Sequence, residues 1–451
     1  MRVFLLSLAL VLSYALPVFA TNVSGLITTN TTWTKSNSPY IVTGNIDVDT
    51  NATLTIEPGV VVKFDGFYVV YIDGKISMQG TDSDSIVVTS NKAVPGKADY
   101  VGFDVRNSRS LDTIKFEYCH FLYASRGVHV ENMPAIVKNC VFEYCGAAIE
   151  NNNITTSYAY VDNCRFYNNS TAIYSYGAII ATNNIVVNCI SWGFYASQWN
   201  NANYCANNVF YNNYNAIIKY NYVLNNVIYK SGNIGIRDCG TISHNQVWYC
   251  QTGIFAGLNI RHNGIKYNQV GVIINNSSSL VHLNCFSDNT TYDFINNGSD
   301  IDISDNYWSE LDSAKISGRV QDFYDNFTSG KALFMPVLQS EDSGCLDSLQ
   351  LPDTTNINHT NDTTLSTKEV SRATRIDIYP NPATNTVIIK TGNDDAIKMV
   401  CLYTVTGSIV QQIEANTNKL TLNITSIPNG MYMVKVFTND GKPQVTKLLK
   451  E

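Results

Sequence analysis

The sequence is poor in charge and, after its first 20 residues, has no long apolar run. Only 15% of the 451 residues are charged, and 37 acidic against 30 basic residues give a formal charge of −7. This acidic balance argues against nucleic acid or an anionic membrane as the main partner. No segment after residue 20 approaches the roughly 20 apolar residues of a transmembrane helix. We therefore expect no transmembrane segment in the mature chain.

The first 20 residues have a composition of their own. Arg2 is followed by an apolar stretch from Val3 to Leu16, and the small Ala20 precedes Thr21. A positive start, an apolar middle and a small residue at the end are the features of a secretory signal. We predict a signal peptide over 1–20 and export of the remaining chain.

Asparagine and tyrosine are abundant, and they recur at a regular interval. The stretch "NNVFY" (207–211) has counterparts from residue 118 to residue 308, and equivalent positions are separated by 18 to 24 residues. A unit of this length cannot bury its own apolar face and must stack on its neighbours. Short β-branched and aromatic runs, without a helical period, predict that each unit is one coil of parallel strands.

Equivalent residues of stacked coils form columns spaced by about 4.8 Å. The asparagines are predicted at the bends between strands, where their side chains can bond open backbone groups. One apolar position just after the asparagine is predicted to form the interior column: Phe121, Phe142, Phe166, Val186, Phe210, Ile228, Val247, Ile265, Phe286 and Trp308.

Residues from about 40 to 338 resemble the right-handed parallel β-helix proteins of the pectate-lyase type. The segments "VTGNIDVDTNATLTIEPGVVVKFDG" (42–66) and "DNYWSELDSAKISGRVQDFYDNFTSGKALFMPVL" (305–338) are similar to the entry and closing parts of such domains. The resemblance implies an all-β chain with a right-handed parallel β-helix, and we place this domain over 21–338. It says little about activity, because these proteins include polysaccharide lyases, hydrolases, tail spikes and adhesins.

The composition changes at residue 339. The Thr-rich segment 339–375 is predicted to be a flexible linker, and alternating strands over 376–451 predict a small immunoglobulin-like β-sandwich. This last region resembles the C-terminal sorting domain of type IX (Por) secretion, which implies export by that machinery in a Bacteroidetes-type cell, followed by release or attachment at the cell surface. The matching residues are Tyr379, Pro380, Asn381, Pro382, Gly407, Gly430, Tyr432 and Lys447.

Many of the 11 cysteines fall in repeat columns. Cys119, Cys140 and Cys164 occupy a column that is asparagine on later coils, so we interpret them as small buried thiols. A bridge between neighbours such as Cys119 and Cys140 is the alternative, because strand spacing is within disulfide reach. No Cys-x-x-Cys or clustered-His spacing indicates a zinc site. We predict no metal and no cofactor; a calcium requirement stays open without a ligand cluster to support it.

Two outward columns are candidates for function. In the first, His129 and Glu150 are neighbours if the register holds, and they could form an acid–base pair with Tyr174 beside them. Such a site would suit a polysaccharide lyase or a glycoside hydrolase, although the paired-aspartate motifs of pectin hydrolases are missing. The alternative is an ordinary polar pair on the surface.

The second column lies one residue beyond the interior column and contains Tyr167, Tyr211, Tyr229 and Trp248. Alternation along a strand turns these rings away from the core. Exposed aromatic faces with polar rims are suited to stacking against sugar rings. The alternative is that the tyrosines simply cover the outside of the sheet, or lie beneath a loop or the linker.

We therefore favour a secreted or cell-surface β-helix protein that binds an extracellular glycan, or acts as an adhesin, without catalysis. A polysaccharide-degrading enzyme with a site near His129 and Glu150 is the second hypothesis. A purely structural surface protein is the third.

Overall fold

The computed structural model describes residues 20–106, 113–131, 133–152, 158–197, 202–275, 278–345, 376–391, 396–404, 409–438 and 444–450. The predicted signal peptide up to residue 19, the linker from 346 to 375 and Gly407 lie outside these described residues. The chain divides into two compact units, residues 1–354 and 355–451.

The first unit is a parallel β-solenoid of about 12 turns, in which each coil contributes one strand to each of three ladders. The first two strands, Thr21–Ile27 and Tyr40–Val48, span the first and second ladders. The first ladder continues with Val61–Phe64, Ile86–Ser90, Cys119–Leu122, Val141–Glu143, Arg165–Tyr167, Ile185–Val187, Val209–Tyr211, Val227–Tyr229, Gln246–Trp248, Gly264–Lys266 and Cys285–Ser287. The second ladder continues with Val69–Ile72, Gly102–Val105, Arg126–Val130, Ala147–Asn151, Thr171–Ser175, Trp192–Ala196, Asn215–Ile218, Ile234–Arg237, Thr252–Phe255, Val270–Ile274, Tyr292–Asn296 and Val320–Gln321. The third ladder contains Thr31–Trp33, Thr53–Ile56, Lys75–Gln79, Ile114–Glu117, Ala135–Lys138, Ala159–Asp162, Ile179–Thr182, Tyr204–Ala206, Tyr222–Leu224, Thr241–Ser243, Asn259–Arg261 and Leu280–His282.

The predicted interior column is confirmed. From Phe121 to Phe286 its members pair in register on successive strands of the first ladder, and all are fully buried. Phe121 and Phe142 stack at 5.0 Å between ring centroids, and Phe286 stacks on Trp308 at 4.6 Å. The solenoid core is thus a stack of like side chains, each covering the one below.

The asparagines lie at the bends, as predicted, and consecutive ones have different roles. The first of each pair, such as Asn225 with a φ of 54°, takes the left-handed conformation, which asparagine tolerates better than most residues. The second, such as Asn226, points inward and is fully buried. Its amide accepts from the backbone N–H of Asn208 at 2.9 Å and donates to the side chain of Asn245 at 3.0 Å. Asn184, Asn208, Asn226, Asn245, Asn263, Asn284 and Asn306 form one continuous amide ladder.

The solenoid closes with a short helix, Ser313–Ser317, capped by Asp312, and a pair of short strands, Ile301–Asp302 and Ala332–Leu333. Residues 339–345 were predicted to be part of the flexible linker, but they lie against the outside of the last coils. We call this segment the strap. Its last three residues, Ser343–Cys345, form a 3-10 turn, as do Lys35–Asn37 near the start.

The strap is attached covalently by a disulfide between Cys285 and Cys345. Glu341 pairs with Lys266 at 3.1 Å, and Asp342 pairs with His262 at 2.7 Å. The remaining nine cysteines, including those of the predicted column, are buried thiols.

The second unit has two antiparallel sheets, consistent with the predicted small β-sandwich. Both sheets contribute to one apolar core that includes Val387, Ile389, Leu402 and Val434. The first sheet contains Ile376–Tyr379, Thr386–Thr391 and Lys419–Asn423, and the second contains Ile409–Thr417, Ile397–Thr404, Gly430–Thr438 and Gln444–Lys450.

Candidate functional site

The register places the three candidate catalytic residues side by side. His129 pairs with Glu150, and Glu150 pairs with Tyr174, on successive strands of the second ladder. His129 is almost completely buried, whereas Glu150 and Tyr174 are half-buried. The register that the prediction required is therefore present, while the catalytic role of these residues stays a prediction that depends on the bonds around them.

Both ring nitrogens of His129 already have partners. Nδ1 lies 2.8 Å from Asp104 Oδ1, and Nε2 lies 2.9 Å from the side-chain amide nitrogen of Asn152. A neutral imidazole that donates from Nδ1 to Asp104 and accepts at Nε2 from Asn152 satisfies both contacts. A general base needs a nitrogen that can reach the substrate, and in this arrangement Asn152 occupies that nitrogen.

Arginine holds two of the three acidic groups around His129; the third, Glu131, lies 3.7 Å from His129 Nε2. Arg126 lies 3.7 Å from Asp104 and 3.9 Å from Glu150, so one guanidinium bridges the two carboxylates. Burial alone would raise the pKa of Asp104, but the hydrogen bond and electrostatic attraction of His129, together with the charges of Arg126 and Arg106, outweigh it and lower the pKa. A hydrogen bond with Tyr176 raises the pKa of Tyr174, which keeps this phenol protonated. The cluster resembles an ion-pair network more than a set of groups ready to exchange protons.

We predict that this network weakens in acid. The pKa of Asp104 is lowered on folding, so its stabilisation is fully present above the unfolded pKa and is lost as pH falls through the folded pKa. Asp104→Asn should lower the unfolding free energy by about 1–3 kcal/mol near neutral pH, with the difference from wild type shrinking in acid. Urea unfolding across pH, with the exposed Asp65→Asn as control, tests this. A difference that grows on acidification would contradict it.

The four predicted ligand-binding aromatics also share one column, which we call the aromatic strip. Tyr167, Val187, Tyr211, Tyr229 and Trp248 pair in register on five successive strands of the first ladder. The aromatic residues are half-buried, and burial raises the pKa of Tyr167. The next position, Lys266, is covered by the strap through Glu341, so the strap marks one end of this strip.

Two neighbouring rings of the strip stack on one another. Tyr211 and Tyr229 are nearly parallel, with 6° between their planes and 5.7 Å between their centroids. Stacking covers the facing sides of these two rings. The ammonium of Lys230 lies 5.4 Å from the centre of the Tyr229 ring, within the range of a cation–π contact.

Sequence reasoning missed a second set of aromatics beside the strip. Tyr249 contacts Tyr229 at 5.1 Å and stacks on Tyr267 at 5.1 Å, and these two outer rings are 47% and 43% exposed. They lie two positions after the interior column, at the corner between the first and second ladders. A signal was present in the sequence, because this one position of the repeat is tyrosine on four coils and asparagine on three.

The described residues of the sorting motif lie close together in the second unit. Gly407 is outside the described residues. Asn381 belongs to the segment Tyr379, Pro380, Asn381 and Pro382. Its side-chain oxygen accepts a hydrogen bond from the backbone N–H of Leu449 at 2.8 Å. Gly430 adopts a positive φ and pairs with Lys450. The hydroxyl of Tyr432 donates to Pro428 O at 2.7 Å, and Lys447 pairs with Met433. The motif thus joins the first turn of this unit to its last strand.

Within the described ranges, no group of three or more His, Cys, Asp or Glu side chains is arranged to hold a metal ion. None of the helices described is long and apolar enough to cross a membrane.

Two parts of the chain match known protein families. Residues 25–113 match a pectate-lyase like beta helix domain, and residues 377–451 match a secretion system C-terminal sorting domain. No curated protein matches the chain. The sorting domain indicates a secreted or cell-surface protein and implies the type IX secretion machinery as a partner.

Proposed function

We propose that this exported protein binds an extracellular glycan through the aromatic strip of its solenoid and does not cleave it. The observation that carries the proposal is the alignment of Tyr211, Tyr229 and Trp248 on successive coils of one outward column. Tyrosine combines apolar area with a hydroxyl that can hydrogen-bond, whereas Trp248 offers apolar area alone because its Nε1 is buried. A row of such rings at strand spacing suits a polymer that repeats its hydroxyl and C–H groups along its length.

The bonds of His129 support a non-catalytic role. Asp104 and Asn152 occupy its two nitrogens, and Arg126 pairs with both Asp104 and Glu150. A lyase or hydrolase would need one of these groups to transfer a proton to or from the sugar. The cluster would have to break internal bonds before it could do so.

We predict that the mature full chain is retained on at least one insoluble polysaccharide without releasing products. Retention would be measured by pull-down over a panel, with calcium and with a chelator, while reducing ends and the absorbance of unsaturated products are followed. Tyr211→Ala or Trp248→Ala should weaken retention about tenfold, equivalent to about 1.4 kcal/mol. Tyr222→Ala, an exposed ring of the third ladder, is the matched control and should leave retention unchanged.

The outcomes separate the three hypotheses. Product formation that is lost in Glu150→Gln would replace this proposal with a polysaccharide-degrading enzyme. Neither products nor retention on any polysaccharide would leave a structural surface protein.

A further inference from the structure

The corner between the first and second ladders carries a surface with almost no charge. We define the corner surface as two adjacent columns over six successive coils. Lys230 is the charged residue among these twelve positions, and Lys97 reaches the first coil from outside the columns and donates to Ser170 at 3.3 Å. The backbone N–H groups of the second column donate hydrogen bonds to carbonyl oxygens of the preceding coil. The first column is Asn168, Asn188, Asn212, Lys230, Tyr249 and Tyr267, and the second is Ser170, Ile190, Tyr214, Gly232, Gln251 and Gln269.

The first three coils of the corner surface carry an amide ladder, half-buried at Asn168 and Asn188 and exposed at Asn212, beside a shallow depression. Asn188 donates to Asn168 at 3.1 Å, and Asn212 donates to Asn188 at 2.7 Å. Each amide has a second N–H and a second oxygen lone pair, so the ladder leaves bonding capacity for a ligand. The depression measures about 360 Å³ and is lined by Asn188, Ile190, Asn212 and Tyr214, among others. Ile190 and Tyr214 are 67% and 53% exposed.

The tyrosines at the end of this surface occupy a backbone conformation that suits asparagine better. Tyr249 and Tyr267 have φ values of 58° and 60°, in the left-handed region, as does Asn212 at 54°. Asparagine tolerates this region because its short polar side chain bonds locally, whereas a bulky side chain is strained there. Asparagine fills the same position on three other coils and tyrosine on two earlier ones, Tyr123 and Tyr144, so the turn itself does not require tyrosine. Strain of this kind points to a use for the side chain outside the fold.

We infer that the corner surface binds an uncharged glycan chain that runs along the solenoid axis. This inference rests on the proposed glycan-binding function and names the class of sugar. Amides, phenols and one aliphatic side chain recognise hydroxyl and C–H groups. A uronate or sulfate polymer calls for a cation on each of several coils, whereas here Lys230 stands on one coil and Lys97 reaches Ser170 on another. Five coil steps of about 4.8 Å span roughly 24 Å, which is long enough for several sugar units. Tyr229 joins this surface to the strip through its contact with Tyr249.

The test compares an insoluble uncharged β-glucan with an insoluble polygalacturonate, using the mature full chain. We expect retention on the uncharged polymer that is unchanged between low salt and about 1 M NaCl, because no ion pair would be screened. The double variant Tyr249→Asn, Tyr267→Asn should lose at least about tenfold in affinity, equivalent to about 1.4 kcal/mol. Its thermal midpoint should stay within a few degrees of wild type, because asparagine suits the backbone at both positions. Tyr222→Asn is the control at an exposed tyrosine of the third ladder.

Two results would overturn the corner surface while leaving the proposed function intact. One is retention that Tyr211→Ala weakens and the double variant does not. The other is retention confined to polygalacturonate and lost in high salt. Absence of retention on every polysaccharide, with products or without them, would overturn both proposals together.

Discussion

Replacing Asn226 by leucine is expected to lower the unfolding free energy of the solenoid by about 4 kcal/mol. The side chain is fully buried and accepts from both the backbone and the side-chain nitrogen of Asn208. It also donates to Asn245 and to the carbonyl of Cys205. Leucine has a similar size but would leave these buried groups without partners, and each orphaned group costs about 1–3 kcal/mol.

Its neighbour Asn225 supplies the matched control. Asn225 is exposed and has a φ of 54°, so Asn225→Leu should cost only the backbone penalty of about 1–2 kcal/mol. All five tryptophans precede residue 339, so tryptophan fluorescence in a urea titration follows the solenoid separately from the sorting domain. Equal losses in the two variants would show that the amide ladder contributes little.

This pair of residues shows what the repeat could predict. A fixed period requires equivalent residues to stack, so the columns, the interior phenylalanines and the bends all follow from the spacing of the repeat. The period does not say which side chain of a pair points inward. The direction of each side chain depends on the hydrogen bonds between neighbouring coils. Asn226 bonds to Asn208 and Asn245 on the coils either side of it, whereas Asn225 forms the bend of the chain.

The same limit applies to the candidate site. Register correctly placed His129 beside Glu150, because both belong to one column. The column did not reveal that Asp104 and Asn152 occupy the imidazole nitrogens, since Asn152 lies just past its own strand. The tyrosines of the strip were predicted in register, but their mutual stacking depends on side-chain torsions that a sequence pattern does not contain.

The cysteines likewise include some whose state could be predicted from the repeat and some whose state could not. Cys119 and Cys140 repeat within a column and are buried thiols, as predicted. Cys345 lies outside the repeat, in a segment whose composition resembles a linker, and its partner Cys285 is 60 residues away. Periodicity carries no information about such a contact, so the strap and its disulfide could not be predicted from the sequence.

The strap should contribute strongly to the stability of the last coils. Closing a 60-residue loop with the Cys285–Cys345 disulfide removes chain entropy from the unfolded state, and disulfides of this kind contribute about 2–4 kcal/mol. Cys345→Ser should therefore lower the unfolding free energy of the solenoid by that amount. Release of the strap would also expose Lys266, which is now covered by Glu341.

Dithiothreitol distinguishes the disulfide from the mere loss of a buried side chain. Reduced wild-type protein should unfold at the same urea concentration as Cys345→Ser, and the reductant should leave the variant unchanged because its remaining thiols are not bridged. Cys401→Ser, in the sorting domain, should leave the tryptophan signal of the solenoid unaffected. If Cys345→Ser and oxidised wild type unfolded together, the strap would be an attachment without a role in stability. A loss of the predicted size would instead show that the last coils are held together by a segment outside the repeat, as expected where a solenoid has no further coil to stack upon.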